Sequence, residues 1–179
     1  MELHPFSIPT KLFFLQVLLV AIFLHPNEAE NSETNLVFYM QDLASGDKAT
    51  VVPVTGIAGK TLSFTSFGTI FAIDDPITET QDNKSAPIGR AQGMLLTSAL
   101  DGSNVHVSIS IVFTSDEYNG STLELQGISK QNERYKEISV VSGTGSFRLA
   151  RGYATLETIY YDDRTSFSVI RCSISVIRS

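Results

Sequence analysis

The stretch Val105-His-Val-Ser-Ile-Ser-Ile-Val-Phe113 alternates apolar residues with polar ones along most of its length. Successive side chains of a β-strand point to opposite faces, so this pattern predicts a strand with one buried face. Turn-forming residues flank it, with Asp101–Asn104 before it and Tyr118–Gly120 after it. The stretch therefore predicts a strand held between two hairpin turns.

Shorter alternating or β-branched runs occupy most of the remaining chain, and none sustains a helical period. They predict strands at Leu36–Asp42, Ala49–Val54, Thr61–Ile73, Gln92–Ser98, Leu123–Gly127, Glu137–Val141, Tyr153–Tyr161 and Ser166–Ile177. Thr61–Ile73 is either one long strand or a bent pair, with Gly68 as a bulge or a point of close approach. The polar residues 28–35 predict a loose arm, and residues 74–91, with Pro76 and Pro87, predict a long surface connection. About eight short strands at this spacing favour an antiparallel barrel or sandwich.

The stretch Val140-Val-Ser-Gly-Thr-Gly-Ser-Phe-Arg-Leu-Ala-Arg-Gly-Tyr-Ala154 places a Gly-Thr-Gly turn between two apolar runs. Such a turn suits a tight bend or bulge where the backbone needs a positive φ. The residues after it alternate, which predicts a strand with Phe147, Leu149 and Arg151 on one face. An arginine among apolar residues is costly unless an anionic or electron-rich group meets it. The segment is therefore either a barrel corner whose arginine reaches solvent or part of a binding site.

Composition and charge are those of an ordinary globular protein. The chain has 179 residues, 42% hydrophobic and 18% charged, which is about the size of one domain. Its net charge of −6 comes with only 13 scattered Lys and Arg residues. Nucleic acid needs a clustered basic surface, so we exclude it as a partner.

The N-terminus has the layout of a secretory signal. Lys11 precedes the apolar run Leu12–Leu24, and Pro26 and the small Ala29 follow. The run is too short to span a bilayer comfortably, although a retained membrane anchor is the alternative. We expect residues 1–29 to be a signal peptide and residues 30–179 the mature domain. The mature protein should then be secreted into the extracellular space, without a membrane partner.

The chain contains two glycosylation acceptor sequences but few residues that could bind a metal or a cofactor. Asn83-Lys-Ser85 and Asn119-Gly-Ser121 are acceptor sequences for N-linked glycosylation, in agreement with secretion. Cys172 is the only cysteine, so no intrachain disulfide is possible, and His106 is the only histidine after residue 29. No site built from several His or Cys ligands can be assembled from these, and no glycine-rich loop opens a helix. We expect no metal and no cofactor.

Six blocks of the chain resemble, in the same order, the plant dirigent protein family. They are Leu36–Asp42, Phe67-Gly68, Asp74–Thr78, Gly89–Gly93, Asn119–Thr122 and the stretch Val140–Ala154. The resemblance implies an all-β fold, an eight-stranded antiparallel β-barrel similar to that of allene oxide cyclase and calycin-like in architecture. It also implies a homo-oligomer, usually a trimer, with a dimer as the other possibility.

Asp42 and Arg151 are the candidate catalytic residues. Asp42 shares strand parity with Phe38 and Met40, so on a barrel-lining face its carboxyl would be desolvated and its pKa raised towards that of a proton donor. A solvent-facing acid at the strand end is the alternative. In the family, the matching aspartate and the arginine that corresponds to Arg151 are assigned to the pocket. We therefore expect both side chains to face one pocket, the arginine holding a phenolic oxygen.

Other candidates are less specific. Tyr39, Phe113, Phe147 and Arg90 are expected to bind substrate, although Arg90 could equally tie a loop to the barrel rim. Asp74 and Asp75 precede a proline, and a turn-initiating role is favoured over a functional one. Two departures bear on the product: lignan-forming members usually carry an aspartate where this chain has Ser146, and a cysteine near each end of the domain.

The resemblance implies a small phenolic ligand and leaves two functions open. The first is stereoselective coupling of phenoxy radicals, from a monolignol such as coniferyl alcohol, in lignan and phenylpropanoid biosynthesis. An external laccase or peroxidase would supply the radicals, because we expect the protein to have no oxidative activity of its own. The second is a dehydratase, a lyase that closes a ring through a quinone methide on an isoflavonoid alcohol. A carbohydrate-binding module ranks last because the chain has no Trp.

Overall fold

The computed structural model describes residues 32–115 and 117–178, which form nine β-strands in one antiparallel sheet. The strands are β1 (Ser32–Leu43), β2 (Val51–Thr55), β3 (Ile70–Thr78), β4 (Pro87–Thr97), β5 (Asn104–Phe113), β6 (Thr122–Lys130), β7 (Lys136–Thr144), β8 (Arg151–Asp162) and β9 (Phe167–Arg178). A short 3-10 turn, Gly145–Phe147, precedes β8. No helix within this described part is long and apolar enough to cross a membrane.

The sheet closes into a barrel. Its order is β1-β9-β8-β7-β6-β5-β4-β3-β2, and β1 also pairs with β3 through Tyr39–Thr78 and Met40–Ile77. The first half of β3 pairs instead with β2, from Val51 opposite Ile73. Because β1 and β2 share one position beside β3, the nine strands make eight positions round the barrel. The closed eight-stranded antiparallel barrel predicted from the sequence is confirmed, and closure removes unpaired strand edges.

The barrel interior is filled at one end by aromatic side chains. In β5 the residues Val105 to Phe113 alternate as predicted, and every second one is buried. Phe113 packs at that end against Phe38, Tyr118 and Phe147, with ring centroids 5.4 to 6.2 Å apart. We call these four residues the aromatic cluster. An eight-stranded barrel is just wide enough for its interior to be filled by side chains or to hold one small ligand. The aromatic cluster fills one end, so any ligand would occupy the rest of the interior.

Two predicted loops are in fact strands. Residues 74–78 belong to β3 and residues 87–91 to β4, so only residues 79–86 form a surface connection. Pro76 is tolerated because it lies where β3 has neither β1 nor β2 as a partner in register, and Pro87 is the first residue of β4. The arm predicted at residues 28–35 is also wrong for residues 32–35, which pair with β9. Residues 28–31 and the predicted signal peptide lie outside the described residues.

Two predicted strands are wrong in part. Thr61–Thr69 is irregular rather than extended, because Ser63 bonds Thr65 and Ser66 locally and Gly68 has a φ of 84°. The strand predicted through Phe147, Leu149 and Arg151 is interrupted: it begins only at Arg151. Before it, the chain makes the 3-10 turn, and Leu149 has a left-handed φ of 63°.

Candidate active site in the barrel cavity

A cavity of about 320 Å³ opens at the end of the barrel away from the aromatic cluster. Its walls are mostly apolar: Met40, Phe64, Ile73, Leu95, Val105, Val107, Ile109, Leu156 and Ile170. The polar side chains on the walls are Asp42, Ser129, Gln131, Lys136, Thr158, Tyr161 and Ser168. An apolar pocket with a few polar groups is the usual form of a small-molecule site.

Three of these polar residues form one row across neighbouring strands. Asp42 of β1 lies opposite Ser168 of β9, which lies opposite Tyr161 of β8. A bulge at Ile159 shifts the register of β8 and brings Tyr161, instead of Tyr160, to the cavity wall. We call Asp42, Ser168 and Tyr161 the polar row.

Asp42 has the properties of a proton donor. Burial raises the pKa of its carboxyl from 3.8 to about 6. None of the ion pairs among the described residues includes Asp42. The carboxyl therefore holds its proton at mildly acidic pH while it faces an apolar cavity, which is the condition for a general acid. The predicted position of Asp42 on the barrel-lining face is confirmed.

Asp75 is a second interior acid, although the proline that follows it predicted mainly a turn residue. It is fully buried, and its Oδ1 accepts a 2.5 Å hydrogen bond from the Thr50 hydroxyl, while Oδ2 has no partner in the described structure. Burial, and then the nearby charge of Asp42, raise the pKa of Asp75 to about 8. Strand parity with Phe71 and Ile77 is the sequence signal that would have placed it inside.

The mouth of the cavity is held by hydrogen bonds between loops. Gln131 donates through Nε2 to the carbonyl oxygens of Phe64 and Gly102, at 2.6 and 2.5 Å. The Phe64 carbonyl also accepts from the Thr97 hydroxyl at 3.0 Å. The Phe64 ring stacks on Phe71 with centroids 4.0 Å apart, so the loop that carries it is fixed over the barrel rim.

Arg151 does not share the cavity with Asp42. Ala154 and Leu156 define the inward face of β8, so Arg151 has the outward parity and its side chain is exposed. Its guanidinium donates to the carbonyl oxygen of Val141. The prediction that Asp42 and Arg151 face one pocket is therefore wrong in this structure, because the strand starts at Arg151 with the opposite alternation.

The predicted substrate-binding residues also lie away from the cavity. Tyr39 has the outward parity of β1 and is half-buried. Arg90 lies on the outer face of β4, where its Nε pairs with Asp74 and its Nη2 donates to the Asp74 carbonyl at 2.6 Å. Phe113 and Phe147 belong to the aromatic cluster, and neither lines this cavity.

The two glycosylation acceptors are accessible. Asn83 lies in the loop between β3 and β4, and Asn119 in the turn before β6; both side chains are exposed. Across the residues that the structure describes, no group of three or more His, Cys, Asp or Glu side chains is arranged to hold a metal.

The fold and the cavity define a class of protein: a closed antiparallel barrel that surrounds an acid-bearing cavity of small-molecule size. The chain belongs to the dirigent family, because the family model described as Dirigent-like protein matches residues 33–177. The family suggested by the six sequence blocks is thereby confirmed.

Relatives in sequence and in structure agree with this assignment. Dirigent protein 23 of Arabidopsis thaliana is 35% identical over 144 residues, covering 80% of this chain and 77% of the relative. Dirigent protein 1 of the same plant is 41% identical over 125 residues, covering 70% and 69%. The solved structure of the pterocarpan synthase dirigent protein GePTS1 superposes with a TM-score of 0.76 at 31% identity, covering 86% of this chain and 88% of that one.

Proposed function

We propose that the barrel binds one phenolic ligand in its cavity and that Asp42 acts on it as a general acid, in a dehydration that closes a ring. The observation that carries this proposal is the position of Asp42, a carboxyl with a raised pKa on the wall of an apolar cavity. The similarity to a pterocarpan synthase dirigent protein supports an isoflavonoid alcohol as the ligand class.

The size of the cavity supports a single ligand. Its volume of about 320 Å³ lies at the lower end of the roughly 300–1,000 Å³ that is usual for drug-sized ligands. One molecule with two fused rings and a third, attached ring suits such a space better than two phenylpropanoid molecules held together. A dehydration needs only one molecule in the barrel.

The reaction uses one proton that returns to its source. Asp42 gives its proton to the hydroxyl of the ligand, the carbon–oxygen bond breaks, and the electron pair leaves with water. The conjugated phenol gives its proton to water, either on binding or as the quinone methide forms. A second phenolic oxygen of the same ligand then attacks the carbon, its proton returns to the Asp42 carboxylate, and the methide oxygen regains a proton. The net change is the loss of one water, and no oxidant is consumed.

Stereoselective coupling of phenoxy radicals is the second candidate. The apolar walls of the cavity support it, since they would present one face of a radical without hydrogen-bonding to it. A laccase or peroxidase would supply the radicals, and selectivity needs only a few kcal/mol, since about 1.4 kcal/mol gives a tenfold preference.

We further propose that the protein acts outside the cell and as a homo-oligomer, a trimer or a dimer. Apolar side chains that face outwards support an assembly: Val52 lies opposite Ala72, which lies opposite Met94, and both Val52 and Met94 are exposed. Such a patch is suited to contact with another copy.

One experiment separates the two functions. The purified protein is incubated with an isoflavonoid alcohol, and separately with coniferyl alcohol with and without a laccase, and the products are resolved by chiral chromatography. We expect loss of water from the isoflavonoid alcohol by the wild type and loss of that activity in Asp42→Asn. If wild type leaves that alcohol unchanged but makes the laccase-derived coupling products enantiomerically enriched, the second function replaces the first.

A further inference from the structure

Lys136 is a cation on the cavity wall that the proposed reaction does not use. It is the first residue of β7, it shares the inward parity of Ile138 and Val140, and it is half-buried. None of the ion pairs found among residues 32–115 and 117–178 includes it. Its ammonium is therefore available to a ligand in the cavity.

Lys136 and the polar row lie on different walls. Strand β7 is the third neighbour of β1 in the sheet order β1-β9-β8-β7, close to half-way round a barrel of eight positions. In strand register, Lys136 lies opposite Leu156, which lies opposite Cys172, which lies opposite Phe38. Asp42 lies four residues beyond Phe38 in β1, so the two charged residues occupy different strands and different register positions of the sheet.

The ammonium of a lysine on an apolar cavity wall favours an anionic partner. When a ligand fills the cavity, removal of the ammonium from water costs free energy, which a ligand anion or an electron-rich oxygen offsets through a charge-assisted hydrogen bond. The residues between Lys136 and the polar row are mostly apolar, among them Leu156, Met40 and Ile170, and they include the hydroxyl of Thr158. A ligand that fits both ends carries an ionisable oxygen at one end, an aromatic body, and a hydroxyl at the other end.

We infer that Lys136 binds the ionised phenolic oxygen of the ligand and so makes the cavity selective for free phenols over their methyl ethers. This inference rests on the proposed function, whose leaving hydroxyl would then lie at the polar row near Asp42. The phenolate is also the form that pushes its electrons towards the leaving group when the quinone methide forms. A lysine whose ammonium extends into the solvent at the mouth would have none of these effects.

Binding of 4-nitrophenol tests this without any turnover. The ionised form of this phenol absorbs at longer wavelength than the neutral form, so a titration of absorbance against pH gives the pKa of the bound ligand. We expect the wild type to lower that pKa, and Lys136→Met to lose its preference for the phenolate by about tenfold to a hundredfold. Lys136→Arg keeps the charge and should keep most of the preference. 4-Nitroanisole, which cannot ionise, should bind equally to wild type and Lys136→Met.

Lys130→Met is the matched control, since Lys130 is exposed, pairs with Glu133 at 2.9 Å and is absent from the cavity wall. It should behave as wild type. The inference is overturned if Lys136→Met, folded by circular dichroism, keeps the phenolate preference, if 4-nitrophenol does not bind to wild type, or if Lys130→Met loses the preference equally.

The failure of the proposed function would look different. Asp42→Asn should retain the phenolate preference while it loses dehydration. If Asp42→Asn retains full dehydration and the Lys136 variants behave as expected, Lys136 still binds the phenolate and only the role of Asp42 is wrong.

Discussion

The Thr50 hydroxyl donates a 2.5 Å hydrogen bond to Oδ1 of Asp75, at the place where β3 changes its partner from β2 to β1. The same hydroxyl accepts from the Leu43 amide at 3.0 Å, so one threonine connects both strands that share this position of the barrel. The other carboxyl oxygen of Asp75 is buried without a partner among the described residues. A neutral, protonated Asp75 suits this environment better than a carboxylate does.

Stability should therefore decrease as pH rises from mildly acidic to alkaline values. The pKa of Asp75 is raised to about 8 in the folded protein, so the native state holds a proton that the unfolded chain releases above about pH 4. This contribution is complete below the unfolded pKa and is lost as pH rises to about 8, at no more than about 1.4 kcal/mol per pH unit. Asp42 adds the same sign of dependence up to about pH 6. Measurement of the free energy of unfolding in urea between pH 6 and 8 isolates the pH dependence that is due to Asp75.

Asp75→Asn should make the free energy of unfolding nearly independent of pH between pH 6 and 8. The amide oxygen can still accept from Thr50, and no proton is lost, so the variant should be more stable than wild type at pH 8. Asp101→Asn is the control, because Asp101 is exposed and hydrogen bonding with Ser103 lowers its pKa. It should leave the slope between pH 6 and 8 unchanged. Equal slopes in wild type and Asp75→Asn would mean that Asp75 is ionised in the native barrel.

The strands that the sequence predicted best are those in which one face is buried throughout. Val105–Phe113 alternates because one side of β5 lines the barrel and the other is outside, and a period of two carries that information directly. Pro76 suggested a loop because its place in β3 depends on a gap between β1 and β2, which is a property of the closed barrel. The pairing of residues 32–35 likewise depends on β9, more than a hundred residues away in the chain.

Within the site, parity predicted Asp42 correctly and would have predicted Asp75 if the following proline had not suggested a turn. Tyr161 could not be found in this way, because the bulge at Ile159 changes which residues of β8 face inwards. Arg151 was misplaced for a related reason: the 3-10 turn and the left-handed Leu149 reset the alternation before β8 begins. An irregularity of one residue turns the side chains that follow it to the opposite face of the strand. The alternation of apolar and polar residues in the sequence does not reveal such an irregularity.

A buried glutamate on the outer face of β8 pairs with two arginines, and we expect replacement of each arginine to lower the free energy of unfolding by a different amount. Glu157 is 4% exposed and accepts from Arg134 Nε at 2.8 Å and Arg171 Nη2 at 2.6 Å. Arg171 lies directly opposite Glu157 in the sheet, whereas Arg134 is in a loop and its side chain is 75% exposed. Arg171→Ala should cost about 1 kcal/mol in urea unfolding. Arg134→Ala should cost less, and a larger loss for Arg134→Ala would contradict this ranking.

The aromatic cluster should contribute to stability and not to ligand selectivity. Phe147 is fully buried, with its ring 4.9 Å from that of Tyr118, and it does not line the cavity. Phe147→Ala should destabilise the protein by about 3–5 kcal/mol, and Phe147→Leu by less. The Phe147→Leu variant should bind 4-nitrophenol as wild type does. A selective change in its ligand affinity would restore Phe147 to the substrate-binding role that the sequence suggested.

Glycosylation at Asn83 and Asn119 is expected if the chain enters the secretory pathway. Both side chains are exposed, and neither acceptor lies inside a strand. Intact-mass analysis of protein secreted from plant cells, before and after enzymatic removal of N-glycans, should show a mass loss and a chain that begins near Glu30. Replacement of both asparagines by Gln should abolish the loss. Protein that retains residues 1–29 would contradict the predicted signal peptide.

The rate of the proposed dehydration should follow the protonation of Asp42. With a pKa of about 6, the carboxyl can donate a proton below that pH and is progressively ionised above it. The rate at saturating ligand should therefore be nearly constant at lower pH and fall about tenfold per unit once pH exceeds the pKa. Asp42→Glu should keep this fall, at reduced rate, because it retains an acid, whereas Asp42→Asn should lose the reaction at every pH. Fluorescence or absorbance titration with 4-nitroanisole serves as the control that both variants still bind an aromatic ligand. A rate that stays constant from pH 5 to 9 in the wild type would mean that another group supplies the proton.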